Sequence, residues 1–284
     1  MLHIATVHWK DDRWVDIQLK YLRLHISREF KVYAFLNHLP ETHRSKYFYS
    51  STEPIHSHAV KLNVLADIAA FNATSPDDWL MFIDGDAFPV GDVVSFACTM
   101  FNKSYPLIAI QRRENNGDVQ PHPSFCLTTV GFWKSIGGDW KAGHTWRGAH
   151  GRLVSDVGGN LLGILERRNI AWYPMLRSNR KNLHPLLFGL YEDLIYHHGF
   201  GFRTGVTRVG WRELRESRTN PFLRMIDGTF RLLPAQGVLG NIRMTMSPER
   251  RALGRVAARE ERLSNEVFES IQRDVLFYRN FQAV

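Results

Sequence analysis

Apolar positions in the first half of the chain switch between two periods. Residues 3–7 read as a short strand, after which Trp14, Ile17, Tyr21 and Leu24 recur at helical spacing over 14–26. A second apolar run covers 31–36. Positions 59, 60, 62, 65, 66, 69 and 70 are apolar, which predicts a helix over 59–71 packed on a sheet. Runs at 79–83 and 107–110 predict a third and a fourth strand. Strands alternating with helices at this spacing predict an α/β fold, a mixed, mostly parallel sheet flanked by helices. Ligands of such sheets bind beyond the carboxyl ends of the strands.

Between 111 and 151 the periodicity loosens. Gly, Pro, His, Trp and Asn are frequent, and the stretch reads as loops and short elements, where binding residues concentrate. A helix over 155–168, a strand over 170–173 stopped by Pro174, and a strand over 190–197 follow. Beyond Gly205 the character changes. Ser247-Pro248 predicts a helix start, with Ser as N-cap and Pro at the first helical position, running to about 280. The division expected is an α/β domain over 1–205 and an Arg-rich, largely helical C-terminal extension over 206–284.

Composition narrows the class. With 284 residues, 44% hydrophobic and 23% charged, the chain is able to bury a sizeable core. No apolar run approaches the roughly 18 residues of a membrane span. The first residues do not read as a secretory signal, so the cytoplasm is the expected location. Cys98 and Cys126 lack metal-ligand spacing and read as buried free thiols. The net charge of +8 is uneven: residues 203–262 hold 13 Arg, no Lys and 6 acidic residues. Such a segment suits phosphates or anionic lipid headgroups, and equally a solvated basic helix surface. The partner expected for it is an anionic membrane surface, touched peripherally. No RNA-binding aromatic signature or helix-turn-helix pattern is visible, and no nucleic acid partner is expected.

Candidate chemistry gathers where Trp79-Leu80-Met81-Phe82-Ile83 runs into Asp84-Gly85-Asp86. In an extended chain both carboxylates project to one side, and Gly85 allows a ligand to approach closely. Hard oxygen ligands at a strand end suit Mg²⁺ or Mn²⁺ completed by phosphate oxygens and water. Asp-Gly shortly before Pro89 is also ordinary turn chemistry. A third ligand is available in Tyr196-His197-His198-Gly199, where the two imidazoles face opposite ways if extended. His198 is the choice here, because the glycines after it let the chain bend and bring Arg203 near.

Taken in order, these motifs resemble a GT-A-fold glycosyltransferase, the nucleotide-sugar-dependent class with a metal-binding D-x-D, with a family-2-like pattern. The first strand ends at Thr6-Val7-His8, where such enzymes hold the nucleotide base. Lys61 and Asn63 precede the D-x-D on a helix, as a basic residue meeting the diphosphate or sugar does in several such families. The stretch 125–140, with Gly137-Gly138-Asp139, resembles the segment leading to the catalytic acid. The stretch 155–174 resembles the family's Glu-Asp helix, and 197–203 its C-terminal His–Gly metal segment. Coverage is about residues 2–203. The family's Glu-Asp pair is here Ser155-Asp156, so only Asp156 carries over as the base; an Asp opening a helix is also a common N-cap.

The resemblance implies a metal-dependent transfer from a nucleoside-diphosphate sugar, UDP favoured, to a saccharide or lipid-linked acceptor, with inversion. Asp84, Asp86 and His198 would hold Mn²⁺ or Mg²⁺, which stabilises the departing diphosphate as a Lewis acid. Thr6, His8, Lys61, Asn63, Asp84 and Arg203 would bind the donor, and Asp156 would take the acceptor proton. Glu192 and Asp193 read as turn residues. His122 and the Trp133, Trp140, Trp146 group fit either an acceptor pocket or loop packing. Two rivals are a metal-dependent phosphohydrolase or phosphotransferase and a non-catalytic basic binding protein. Aspartyl-phosphate chemistry places its carboxylate pair after the first strand, and the binding protein leaves the pair without a purpose.

Overall fold

The computed structural model of the chain describes residues 1–149, 151–200, 207, 209–211, 225–226, 229, 232 and 247–283. At its centre is strand β1 (Leu2–Trp9), buried along all but its last residue. Parallel to it lie β2 (Phe30–Asn37) on one side and β4 (Trp79–Asp84) on the other, with β3 (Tyr49–Ser51) beyond β2. The sheet continues through β7 (His122–Thr129), β6 (Leu107–Ile110) and β10 (Tyr173–Met175), in the order β10-β6-β7-β4-β1-β2-β3. Only β7 runs antiparallel to its neighbours. The expected mixed, mostly parallel sheet flanked by helices is what the chain forms.

Helices cover both faces. On one side α1 (Arg13–His25) and α3 (Val93–Asn102) bury Val15, Leu19, Leu22, Val93, Ala97 and Met100 against the sheet. On the other, α2 (His58–Asn72), α4 (Val130–Ile136) and α5 (Gly159–Arg167) bury Leu62, Leu65, Trp133, Ile136, Leu161 and Leu165. Ser57 caps α2 by accepting from the Val60 N–H, so the helix begins at His58 and carries that imidazole at its first turn. Under β4, Phe82 packs against Trp133 at 4.7 Å and edge-on against Trp140 at 5.0 Å between ring centres. These two tryptophans are therefore core, which settles the packing reading over a sugar-stacking one.

A small antiparallel sheet stands beside the main one. The strand β5 (Ala87–Pro89) follows the Asp84-Gly85-Asp86 turn directly and pairs with β12 (Ile195–His197), which pairs in turn with β11 (Gly189–Tyr191). The single strand expected over 190–197 is thus a hairpin, turned at Glu192 and Asp193, both at positive φ. Other boundaries also moved. The expected loop stretch 111–151 holds β7, α4 and the short strand β8 (Trp146–Arg147), which pairs with β9 (Leu153–Val154) just beyond it. The strand expected at 170–173 lies at Tyr173–Met175 and contains Pro174, on the sheet edge where proline is tolerated. Cys126 is buried, while Cys98 is exposed rather than buried.

Contacts divide the chain into two units, Met1–Phe202 with Tyr278–Val284, and Arg203–Phe277. In the second, the long helix α6 (Pro248–Arg273) starts at Ser247, whose side chain accepts from the Arg250 N–H. Glu260 on α6 takes the Thr207 N–H and hydroxyl at 2.8 and 2.7 Å. Most of the Arg-rich stretch 203–262 on which the membrane expectation rests lies outside the described residues. In the first unit, the short helix α7 (Arg279–Gln282) brings Phe281 to 5.8 Å from the Tyr196 ring on β12. No helix among the described residues is long and apolar enough to cross a membrane. Because Phe82 anchors the strand that ends in Asp84, Phe82→Ala is expected to cost about 3–5 kcal/mol in denaturant unfolding.

Candidate functional site

The strand order reverses at β1, so the crevice lies between the carboxyl ends of β1 and β4. Asp84 ends β4 level with Val7 of β1, and Gly85 turns the chain into β5. The turn is clamped from α1. Gln18 donates to the carbonyls of Asp84 and Ala87 at 2.7 and 2.9 Å, while its oxygen faces the Thr6 hydroxyl and the His8 ring, each at 3.1 Å.

Pairing of β12 with β5 sets His197 opposite Ala87, one residue past Asp86. Its Nε2 lies 3.7 Å from Asp84 Oδ2 and 3.5 Å from Asp86 Oδ1. Asp84, Asp86 and His197 present ligand atoms that all fall within 4.8 Å of one another. Here the expectation of His198 is corrected. The two imidazoles do face opposite ways, and it is His197 that faces the carboxylates. His198 turns inward, with Nδ1 2.9 Å from the Tyr196 hydroxyl and its ring 4.6 Å from Trp14 and 4.8 Å from Phe188. Its backbone still serves the site, since its N–H donates to the Asp86 carbonyl and the Gly199 N–H donates to Asp86 Oδ2, both at 3.0 Å.

Two further imidazoles surround Asp84. His58 Nε2 stands 3.1 Å from Oδ1. His122 opens β7 and lies 6.2 Å from His197, ring centre to ring centre, because an antiparallel strand begins where its parallel neighbour ends. Burial would raise the Asp84 carboxyl; the His58 imidazole first, then His197 and His122, outweigh it and hold the group well below the usual range. Asp86 is likewise lowered, its burial offset by His197 and His198 against the repulsion of Asp84. Arg112, just past β6, adds a buried guanidinium that is coupled to Asp84 and disfavours charge on His122. His58 and Arg112 carry no role in the sequence analysis, and His122 was expected only in an acceptor pocket or in loop packing. The position of His58 at the first turn of a capped helix was the one signal available for it.

Fit to a divalent cation can be judged from the donor set. Two carboxylates, Asp84 half-buried and Asp86 buried, converge with one imidazole, and the further neighbour at Asp84 Oδ1 is the His58 ring, which carries charge only when protonated. Hard oxygens with one nitrogen suit an ion of the Mn²⁺ type. The residues fit.

The remaining predicted residues fall into three groups. Thr6 and His8 are interior, engaged with Gln18 and, for His8, with the Tyr47 hydroxyl at 3.2 Å. Lys61 is buried with its ammonium 4.4 Å over the Trp9 ring, and among the described residues no carboxylate pairs with it; burial lowers it to about 8. Asn63 ties α2 to the Gly-Gly-Asp turn, donating to Asp139 at 2.6 Å and accepting from the Trp140 N–H at 3.0 Å. Asp156 is exposed and closes the turn into α5, its carboxylate taking the Val157 N–H; the N-cap is Gly158. Arg203 lies outside the described residues.

No family model and no curated protein matches the chain. Among solved structures, it aligns with *Pyrobaculum calidifontis* mannosyltransferase PcManGT in complex with GDP-Man and Mn²⁺ at 10% identity, over 90% of this chain and 73% of that one, TM-score 0.43. It aligns with *Staphylococcus aureus* TarS at 13% identity over 50% of each chain, TM-score 0.35. With the *Streptococcus pneumoniae* glycosyltransferase GlyE the figures are 15%, 47% of this chain, 35% of that one and 0.34. The chain thus spans half or less of the latter two. Likeness at this distance carries no functional argument; the residues themselves do.

Burial holds His8 at about 4 against an ordinary 6.5, so the folded state refuses a proton that the unfolded chain accepts. The contribution is complete above pH 6.5 and is lost as pH falls toward 4. Urea unfolding at pH 7, 5.5 and 4.5 is expected to show a decline to which His8 contributes about 2 kcal/mol.

Proposed function

We propose that the protein is a metal-dependent glycosyltransferase that moves a sugar from a nucleoside-diphosphate donor to a saccharide or lipid-linked acceptor. The observation that carries this reading is the convergence of Asp84, Asp86 and His197 at the reversal point of the sheet. These three would hold a divalent ion, Mn²⁺ favoured by the imidazole, and the ion when bound supplies charge stabilisation to a departing diphosphate. Lys61, a buried cation lacking a carboxylate partner among the described residues, lies across Trp9 from the end of β1 and offers its N–H groups to phosphate oxygens. Trp9, which carries Lys61 over its ring, stands at the same strand end and holds that ammonium in place. Gln18 and the Gly199 N–H hold the carboxylates in place, so the site needs little rearrangement on binding. Asp156 stays the family-derived candidate for the base, and inversion and UDP rest on that same resemblance.

The deciding measurement is a thermal-shift screen of nucleoside diphosphates and nucleotide sugars with and without Mn²⁺. A nucleotide-linked rise in Tm that requires the metal is expected in the wild type and absent in Asp86→Ala. A metal-dependent rise that survives in Asp86→Ala would remove the carboxylate from the role assigned to it. Lys61→Met tests the anion contact separately. Removing an unpaired buried charge should raise the stability of the free protein by about 1 kcal/mol while weakening diphosphate binding; a variant that binds diphosphate as the wild type does would exclude the contact.

A further inference from the structure

Asp84 and Asp86 divide their oxygens in the same way. One oxygen of each faces the shared imidazole: Asp84 Oδ2 lies 3.7 Å and Asp86 Oδ1 3.5 Å from His197 Nε2. The other oxygen of each meets a group of its own. Asp86 Oδ2 accepts the Gly199 N–H at 3.0 Å, and Asp84 Oδ1 stands 3.1 Å from His58 Nε2. The last torsion of an aspartate is broad and roughly two-fold, so a carboxylate turns easily about it. A contact at the outer oxygen removes that freedom and keeps the inner oxygen toward the shared point.

The two outer contacts differ in origin. The Gly199 N–H belongs to the chain that continues β12, so it arrives with the hairpin that brings His197. His58 comes from a separate element, the first turn of α2, whose start is fixed by the Ser57 cap. Its side chain is 37% exposed against 15% for Asp84, which puts the ring at the rim of the site. Among the described residues, His58 and His197 are the side chains within ion-pair distance of Asp84, and Asp84 is the carboxylate within that distance of His58. His58 nevertheless stays outside the set of atoms that converge within 4.8 Å, which comprises Asp84, Asp86 and His197.

We propose that His58 is a positioning residue that orients the Asp84 carboxylate for a divalent cation, leaving Asp84 Oδ2 and Asp86 Oδ1 as the ligand oxygens. His58 acts on the ion through Asp84 and is not itself a ligand. Side chains that bind metals are held by outer partners of this kind, and loss of such a partner costs about 10- to 100-fold in metal affinity. The inference rests on the metal-site reading above.

The test is direct titration of Mn²⁺, with the free ion followed by its electron paramagnetic resonance signal. His58→Ala and His58→Leu remove the ring nitrogen. His58→Gln keeps a nitrogen donor the same number of bonds from the backbone as Nε2. Unfolding midpoints in EDTA show whether each variant retains its metal-free fold. His58→Ala and His58→Leu are expected to bind Mn²⁺ about tenfold more weakly than the wild type, with metal-free midpoints close to it. His58→Gln is expected to regain most of that affinity. Wild-type Mn²⁺ affinity in His58→Ala or His58→Leu overturns the inference. An equal loss in all three variants also overturns it, since the ring would then be a ligand in its own right. A loss of affinity that appears only with a clear fall in the metal-free midpoint marks the contact as structural and overturns it too. No Mn²⁺ binding by the wild type overturns the metal-site reading and this inference with it.

Discussion

Two carboxylates desolvated at one strand end are the constraint around which this site is organised. Asp84 and Asp86 repel each other, and burial works against the charge of both. Each feature nearby offsets part of that cost. His58, His122 and His197 surround Asp84, and the Gly199 N–H donates to Asp86. Gln18 fixes the carbonyls of the turn so that both side chains hold their direction. Imidazoles are weak compensators near neutral pH because they carry charge only when protonated. A divalent ion held by Asp84, Asp86 and His197, as proposed, would offset the remaining repulsion between the two carboxylates.

Delivery of the third ligand depends on a small sheet rather than on the large one. β5 is three residues long, yet by pairing with β12 it fixes a residue more than a hundred positions away beside the carboxylates. Register then decides which histidine arrives, since a one-residue shift turns every side chain of a strand to the other face. Tyr196 and His198 share the inward face with Phe88, Trp14 and Phe188, and their aromatic packing leaves His197 on the outward one. The hydrophobic side of β12 thus decides which imidazole faces Asp84 and Asp86. Glu192 and Asp193, as expected, form the turn that makes this hairpin.

Legibility of the sequence followed the strength of its periodicity. Within 1–110, strands β1, β2, β4 and β6 and helices α1 and α2 were readable because each buries one unambiguous face or run, whereas the three-residue strands β3 and β5 and the helix α3 were not. β7 was not: His122-Pro123-Ser124 opens it, and polar Ser124 and Thr128 are buried in it, the first beside His122 and the second donating to the Pro106 carbonyl on a distant turn. The helix expected from 155 begins at Gly159 because Asp156 closes a turn before it. Thr6 and His8, polar positions in an apolar strand, looked available to a ligand and are instead tied to Gln18, a residue whose own role no spacing rule announces.

By itself, then, the sequence determined the α/β class, the strand that ends in paired carboxylates and a helix over 59–71, because these follow from short-range periodicity; the Ser57 cap that starts this helix at His58 emerged with the structure. Tertiary structure alone decided that His197 and not His198 faces the carboxylates, that His122 and Arg112 stand nearby, and that Gln18 is engaged at both ends of its amide. Those outcomes depend on strand register and on the partners of buried polar atoms. Both are set by residues far apart in the chain, which a linear pattern does not bring together.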